Sequence, residues 1–237
     1  MSHSPITPSP ALVQKQAEAE TALATYQQAR QDWQAKAVLF TQQQQAAEAA
    51  EASAQGFKEQ ARALLRQVLG KNTKELQALR AEERAAYSQA EDFRSLLDEL
   101  ELARDEAELA MLEAGQGYLS RRNRALEMLA DAYMAAALQQ IDPLLTALSL
   151  REDALNREGM WATWRQTGYQ SAIDMALHDL AGALKQRVAN FKRDDSQEPI
   201  IQALPWQDGL TEAGQFTLSV SMTRQRELET RKQELNV

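Results

Sequence analysis

One stretch of 69 residues without a proline, residues 73 to 141, constrains the fold of this chain more than any other feature. Apolar residues recur along it at alternating spacings of three and four, which is the pattern of a helix that buries one stripe. Fourteen of the 17 stripe positions are apolar or tyrosine. They run Leu76, Leu79, Glu83, Ala86, Ala90, Phe93, Leu97, Leu100, Arg104, Ala107, Met111, Ala114, Tyr118, Arg121, Ala125, Met128 and Ala132. At 1.5 Å per residue the helix would be roughly 100 Å long, which no small globular core requires.

The width of this stripe changes along the predicted helix. Up to about Glu108 it is narrow and suits one partner helix, and from Met111 on it is wide enough for several. The added positions repeat every seven residues and are Leu112, Leu119, Leu126 and Tyr133. Gly115 and Gly117 lie where the stripe widens, and they predict a kink or a close helix crossing there.

The residues before this stretch are predicted to fold back on it as an αα-hairpin. Asn72 and Glu75 resemble a capping box at the start of the long helix. A first helix is expected from about Pro10 to Ser53, then a break at residues 55 to 57, then a short amphipathic helix over residues 58 to 69. Trp33 and Phe40, seven residues apart, are expected to anchor the contact.

Composition limits the class of protein. Apolar residues make up 44% and charged residues 25% of the 237, with only nine glycines and six prolines, which is typical of a mainly α protein. There is no cysteine, so we expect neither disulfides nor a thiolate metal site, and a reducing compartment. No apolar run approaches the roughly 20 residues that span a bilayer. We therefore expect a cytoplasmic protein that does not contact membranes.

The net charge of −8 is concentrated in the long helix, where residues 73 to 141 carry eight basic and fourteen acidic side chains. An acidic block between Glu91 and Glu113 argues against nucleic acid, whose phosphates require clustered Lys and Arg. The block is interpreted either as a solvated helix face or as a surface for a basic partner or another copy of the chain. Candidate partner-binding residues are Glu99, Glu101, Asp105 and Glu106, followed by a basic cluster of Arg121, Arg122 and Arg124.

The region after Asp142-Pro143 is predicted to contain two further helices, residues 144 to 157 and residues 171 to 191. The second has an apolar stripe of Ile173, Leu177, Leu180, Leu184 and Val188. Trp161, Trp164 and Arg165 lie between the helices. They are interpreted either as part of the core at the corner where the chain turns or as an interface hot spot. His178 has no second histidine or acidic cluster around it, so we expect a structural histidine and no metal site.

Residues 194 to 222 differ from the preceding helices. Proline and glycine interrupt them, and Phe216, Leu218 and Val220 alternate in the period of a strand. We predict short extended segments or strands here, closed by a charged helix over residues 224 to 236.

These observations give a fold class and a division into domains. The fold is predicted to be mainly α: a long antiparallel helical hairpin or coiled coil leading into a helical bundle, with a small irregular or β C-terminal segment. In the predicted division, residues 1 to 10 form a flexible arm, residues 11 to 110 the hairpin, residues 111 to 193 the bundle and oligomerisation region, and residues 194 to 237 the irregular segment with the last helix.

No catalytic constellation accompanies this architecture. The sequence has no phosphate-binding loop, no nucleophile elbow and no zinc-protease motif. Its carboxylates recur at helical i,i+3 and i,i+4 spacings, which is the usual pattern of solvated faces. We expect no enzymatic activity and no cofactor.

The order of parts resembles the capsid size-determination (Sid) proteins of helper-dependent satellite phages. The resemblance rests on a proline-containing polar arm, a Gln/Ala-rich first helix, the run LLRQVLGKNTKELQALRAEERAAYSQAEDF after Ala63, the helix end EMLADAYMAAAL, the Glu198-Pro199 turn and a charged last helix. The polarity-suppression (Psu) family, whose members decorate capsids and inhibit the terminator Rho, is similar and shorter.

The resemblance implies an external scaffold. Such a protein forms a helical cage outside a helper phage's procapsid in the bacterial host, binds the major capsid protein and itself, and directs a smaller shell. It implies no catalytic residues. The alternatives are a Psu-like capsid decoration protein that inhibits Rho, and a host coiled-coil adaptor.

Overall fold

The computed structural model of the chain describes residues 7–69, 71–157 and 163–235, and every regular element in these ranges is helical. The helices are α1 (Pro10–Gln67), α2 (Lys74–Leu138), α3 (Asp142–Asn156), α4 (Thr163–Gln166), α5 (Ala172–Asn190), a 3₁₀ turn (Asp195–Gln197), α6 (Pro199–Ala203), α7 (Leu210–Gln215) and α8 (Leu218–Leu235). The predicted fold class, mainly α with a long helical hairpin and a bundle, is confirmed. Of the predicted flexible arm, residues 1 to 6 lie outside the described ranges.

The chain divides into two compact units. One, which we call the hairpin unit, consists of Glu18–Arg121 and Trp206–Val237. The other, which we call the α5 unit, consists of Met1–Ala17 and Arg122–Pro205. Both units therefore combine segments that lie far apart in the sequence.

The hairpin unit is built on α1 and α2, which pack against each other. Their side-chain contacts join Lys58 to Tyr87, Glu51 to Arg94, Phe40 to Arg104, and Tyr26 to Gly115. Residue numbers fall along α1 as they rise along α2, so the two helices are antiparallel, as predicted. The expected anchors Trp33 and Phe40 are both half-buried.

The predicted break at residues 55 to 57 is wrong, because α1 continues through it to Gln67. The prediction placed the break at Gln55-Gly56-Phe57, where a glycine interrupts the helical pattern. Instead, small residues form the contact seam, and the buried ones on this part of α1 are Ala47, Ala50, Ala54 and Ala61. Gly56 lies inside the helix at a cost of about 1 kcal/mol relative to alanine, which packing of the neighbouring turns offsets.

The start of α2 differs by one residue from the prediction. The backbone N–H of Leu76 donates to the Thr73 hydroxyl at 3.2 Å, so Thr73 and not Asn72 caps the helix. Along the helix, Arg104 occupies one position of the apolar stripe, but its charged side chain is only half-buried. Its guanidinium lies 4.6 Å from the centre of the Phe40 ring and donates to Asp105 at 2.7 Å.

A closely packed node around Tyr26 joins α1, α2 and α7 in the hairpin unit. The Tyr26 side chain is fully buried, and its hydroxyl donates to the carbonyl of Asp208 at 2.7 Å. Burial raises the pKa of this phenol, partly opposed by Arg30. A Cβ added at Gly115 would lie 2.7 Å from the Ala213 Cβ. The close crossing predicted at Gly115 is therefore present, and α2 itself continues through it.

The strands expected between residues 194 and 222 are absent from this described segment, which forms short helices instead. Pro199 begins α6, where its missing N–H costs nothing. The hydroxyl of Thr217 accepts from the N–H of Val220 at 3.4 Å and begins α8, so the alternating residues enter a helix. Phe216 is buried, whereas Leu218 and Val220 are exposed.

One hydrophobic core cluster of the α5 unit lies between α3 and α5. Leu155 of α3 packs against Ala172 and Ala176 of α5, with Trp164 against the same cluster. Arg151 pairs with Asp179 at 3.6 Å one turn further on, so α3 and α5 are antiparallel. The predicted helix over residues 171 to 191 begins with Ser171 as its N-cap, because the Ser171 hydroxyl accepts from the N–H of Asp174 at 3.2 Å.

Candidate interaction surfaces

The second half of the acidic block of α2, from Glu101 to Glu113, is covered by α8 of the same chain. Arg231 donates to Glu101 and to Asp105, each at 2.8 Å, and Lys232 pairs with Glu106. One end of α8 continues the pattern, with Arg224 at 3.3 Å from Glu108 and both Ser221 and Gln225 bound to Glu113. The two helices are antiparallel. Basic and polar residues along most of α8, from Ser221 to Lys232, therefore contact carboxylates of α2.

This contact is mainly polar. Ser221 is the one fully buried residue in the described part of α8, and an open cleft of about 230 Å³ separates the helices beside Leu109 and Leu228. Burial lowers the pKa of Arg231, but the hydrogen bonds to Glu101 and Asp105 outweigh it and raise the pKa overall. Ion pairs exposed to this degree contribute roughly 0.2–1 kcal/mol each and weaken as salt is added.

The four acidic residues predicted to bind a partner therefore fall into two groups. Glu101, Asp105 and Glu106 are occupied within the chain by Arg231 and Lys232. Glu99 is exposed and pairs with no described residue. The sequence left this stretch open between a solvated helix face and a surface for a basic partner or another copy of the chain. In the structure, α8 of the same chain supplies bases to three of the four residues.

Reversal of the charge at Arg231 is expected to release the end of α8. In Arg231→Glu two attractive pairs become repulsive, which we expect to cost about 1–2 kcal/mol of local stability. Amide hydrogen exchange in residues 224 to 235, read by mass spectrometry, should accelerate roughly 5- to 30-fold. Arg226→Glu, an exposed position on the same helix, is the control. Equal exchange in the two variants would contradict the role given to these pairs.

The basic cluster predicted at Arg121, Arg122 and Arg124 does not act as one patch. Arg122 donates to the carbonyl of Leu204 at 2.9 Å and fixes the end of α6 within the α5 unit. Arg121 donates to the Gly117 carbonyl on its own helix, and Arg124 pairs with Glu127 at 3.4 Å. Arg121 and Arg124 are exposed, so two of the three remain accessible to a partner.

The aromatic candidates divide in a similar way. Trp161 lies outside the described residues. Trp164 is half-buried against the α3–α5 core, with the Arg165 guanidinium 4.8 Å from the centre of its ring. This arrangement fits the interpretation of Trp164 as a core corner, while Arg165 itself is exposed.

An exposed apolar surface of the α5 unit follows the second half of α5. The apolar stripe of this helix is open at this end, with Leu184 49%, Val188 72% and the C-cap residue Phe191 63% exposed. All ten residues from 181 to 190 are exposed. The sequence identified Leu184 and Val188 as part of an apolar stripe, and period alone does not say what covers a helix face.

Neither a metal-binding cluster nor a membrane-spanning helix occurs within residues 7–69, 71–157 and 163–235. No group of three or more His, Cys, Asp or Glu side chains in these ranges is arranged to hold a metal ion. No helix in the same ranges is long and apolar enough to cross a membrane.

Comparison of the chain with models of protein families, with curated proteins and with solved structures finds no match.

Proposed function

We propose that this protein is a non-catalytic, self-associating helical scaffold that acts on the outside of a phage procapsid. The observation that carries the self-association is the open apolar stripe of α5. A large exposed apolar surface with polar residues around it typically marks a protein interface. The step from self-association to capsid assembly rests on the resemblance of the sequence to the Sid family.

The rest of the molecule supports a role as a spacer. A helical hairpin with an alanine seam is a stiff element that holds its ends at a fixed separation. Its acidic surface is partly neutralised by α8, while Glu99 and other carboxylates remain open to a basic partner surface. A scaffold that bridges capsid proteins needs these two properties: a defined reach, and separate surfaces for itself and for the shell.

Co-expression with the helper phage's major capsid protein and internal scaffold protein tests this function. The expected result is uniformly smaller shells with added external density in electron micrographs. A variant of the apolar stripe, Leu184→Lys, should bind shells without making their size uniform, because bridging requires contacts between copies. Shells of normal size with wild-type protein would contradict the scaffold function.

The same preparations distinguish the alternative, a Psu-like decoration protein. In that case shells keep their normal diameter and carry the protein, and the purified protein retains the terminator Rho in a pull-down. Small shells and no retention of Rho are the outcome that we expect.

A further inference from the structure

The apolar stripe of α5 is symmetric about one residue. Leu180 and Val188 lie four residues to either side of Leu184. Leu177 and Phe191, the C-cap residue that follows α5, lie seven residues to either side. If two copies of α5 cross in opposite directions with Leu184 on the twofold axis, Leu180 faces Val188 and Leu177 faces Phe191. A large apolar side chain then meets another at every level of the contact.

The charges of α5 favour the same direction. Before Leu184 the helix carries Asp174 and Asp179, of which Asp179 already pairs with Arg151 of the same chain, and no base other than His178. After Leu184 the helix carries Lys185 and Arg187 and no acid. Antiparallel copies place the acidic half of each helix beside the basic half of the other. Parallel copies would place like charges together and align the two helix dipoles, which is unfavourable on both counts.

Intramolecular packing covers the first half of α5 only. Leu155 and Arg151 of α3 contact the residues up to Asp179, whereas residues 181 to 190 are all exposed. A helical segment of this length has marginal stability in water without packing. A covering partner would therefore stabilise the second half as well as bury its apolar stripe.

We propose that α5 pairs with α5 of a second copy, antiparallel, with the twofold axis at Leu184. This inference rests on the self-association in the proposed function and specifies its contact. The interface is isologous, so both copies use the same residues. Because one pair of helices buries less than the roughly 1,600 Å² of a standard interface, the dissociation constant should be micromolar.

Disulfide trapping tests the direction of pairing, and the chain has no native cysteine to interfere. Under oxidising conditions Leu184→Cys should cross-link to itself, since the axis brings the two positions within the Cα separation of about 4.4–6.8 Å that disulfides require. Leu177→Cys alone and Phe191→Cys alone should each form no disulfide-linked dimer, and a mixture of the two variants should form one. Self-cross-linking of Leu177→Cys would show parallel pairing and overturn the proposal.

Sedimentation velocity over a range of concentrations tests the energetics. Leu184→Lys places two like charges on the axis and should weaken association by roughly tenfold or more. Gln186→Lys adds the same charge to the opposite face of α5 and should leave association unchanged. Association that is equally strong in both variants would overturn the α5 contact while leaving self-association intact.

A charge exchange gives a second, independent readout. Asp174→Lys with Asp179→Lys makes α5 wholly basic, and Lys185→Glu with Arg187→Glu makes it wholly acidic. Each double variant should be monomeric alone, and their equimolar mixture should associate. A mixture that stays monomeric, while wild type associates, would overturn the pairing; the shell-diameter experiment then still tests the scaffold function separately.

Discussion

Tyr26→Ala is expected to lower the free energy of unfolding of the hairpin unit by about 3–5 kcal/mol, the loss typical of a deleted core aromatic ring. The ring is fully buried, between α1 and α2 and beside Ala213 of α7. Removal of the ring leaves a cavity, which α1, α2 and α7 cannot fill by moving closer to one another. The free energy of unfolding, measured by urea titration with far-ultraviolet circular dichroism, reads the loss directly.

Two further substitutions separate the ring from its hydroxyl. Tyr26→Phe keeps the ring and leaves the carbonyl of Asp208 without its partner, so the expected loss is about 1 kcal/mol. Tyr87→Ala removes an exposed tyrosine from the same unit and should cost less than about 1 kcal/mol. If Tyr26→Ala lowered the free energy of unfolding no more than Tyr87→Ala does, the node around Tyr26 would not be a centre of packing.

The same substitution is expected to have opposite signs at two glycines of the hairpin. Gly115→Ala places a methyl group 2.7 Å from the Ala213 Cβ and 3.2 Å from the Tyr26 ring, and both neighbours are fixed by their own packing. Overpacking of this kind costs about 1–3 kcal/mol. At Gly56 an added Cβ meets no atom within 4 Å, so Gly56→Ala should gain about 0.5–1 kcal/mol from helix propensity alone.

Urea titrations of the two variants side by side make this a matched comparison. Gly182→Ala in α5 also meets no atom within 4 Å and extends the control to the other unit. A gain in stability for Gly115→Ala would mean that α7 does not approach α2 closely at this position.

Periodicity predicted most of the helical architecture. The stripe of α2, the hairpin of α1 and α2 and the start of a helix near residue 171 follow from local rules, because spacing and side-chain chemistry act over a few residues. The error at residues 55 to 57 arose where a weak local signal competed with a long-range contact: buried alanines carry the helix past a glycine. The strands expected around Phe216 failed for a related reason, since the Thr217 hydroxyl begins a helix that alternation alone cannot reveal.

The candidate surfaces were predictable in their residues but not in their partners. The sequence shows acids on α2 and bases on α8, yet a contact across more than 100 residues, such as Asp105 with Arg231, has no local signature. The open stripe on α5 has the same limitation, because the burial of a helix face depends on which distant elements pack against it. Whether a side chain is exposed depends on the elements that pack against it, and these can be distant in the sequence.

The hydrogen bond between Tyr26 and Asp208 joins residues separated by 182 positions, and it has a consequence for folding during synthesis. The two long helices of the hairpin leave the ribosome well before α7 and α8 exist. Until then Tyr26 has no carbonyl partner, and Glu101 and Asp105 have no base from α8 beside them. During that interval the hairpin lacks both sets of contacts, so the last helix to be made completes a unit whose first helix was among the earliest.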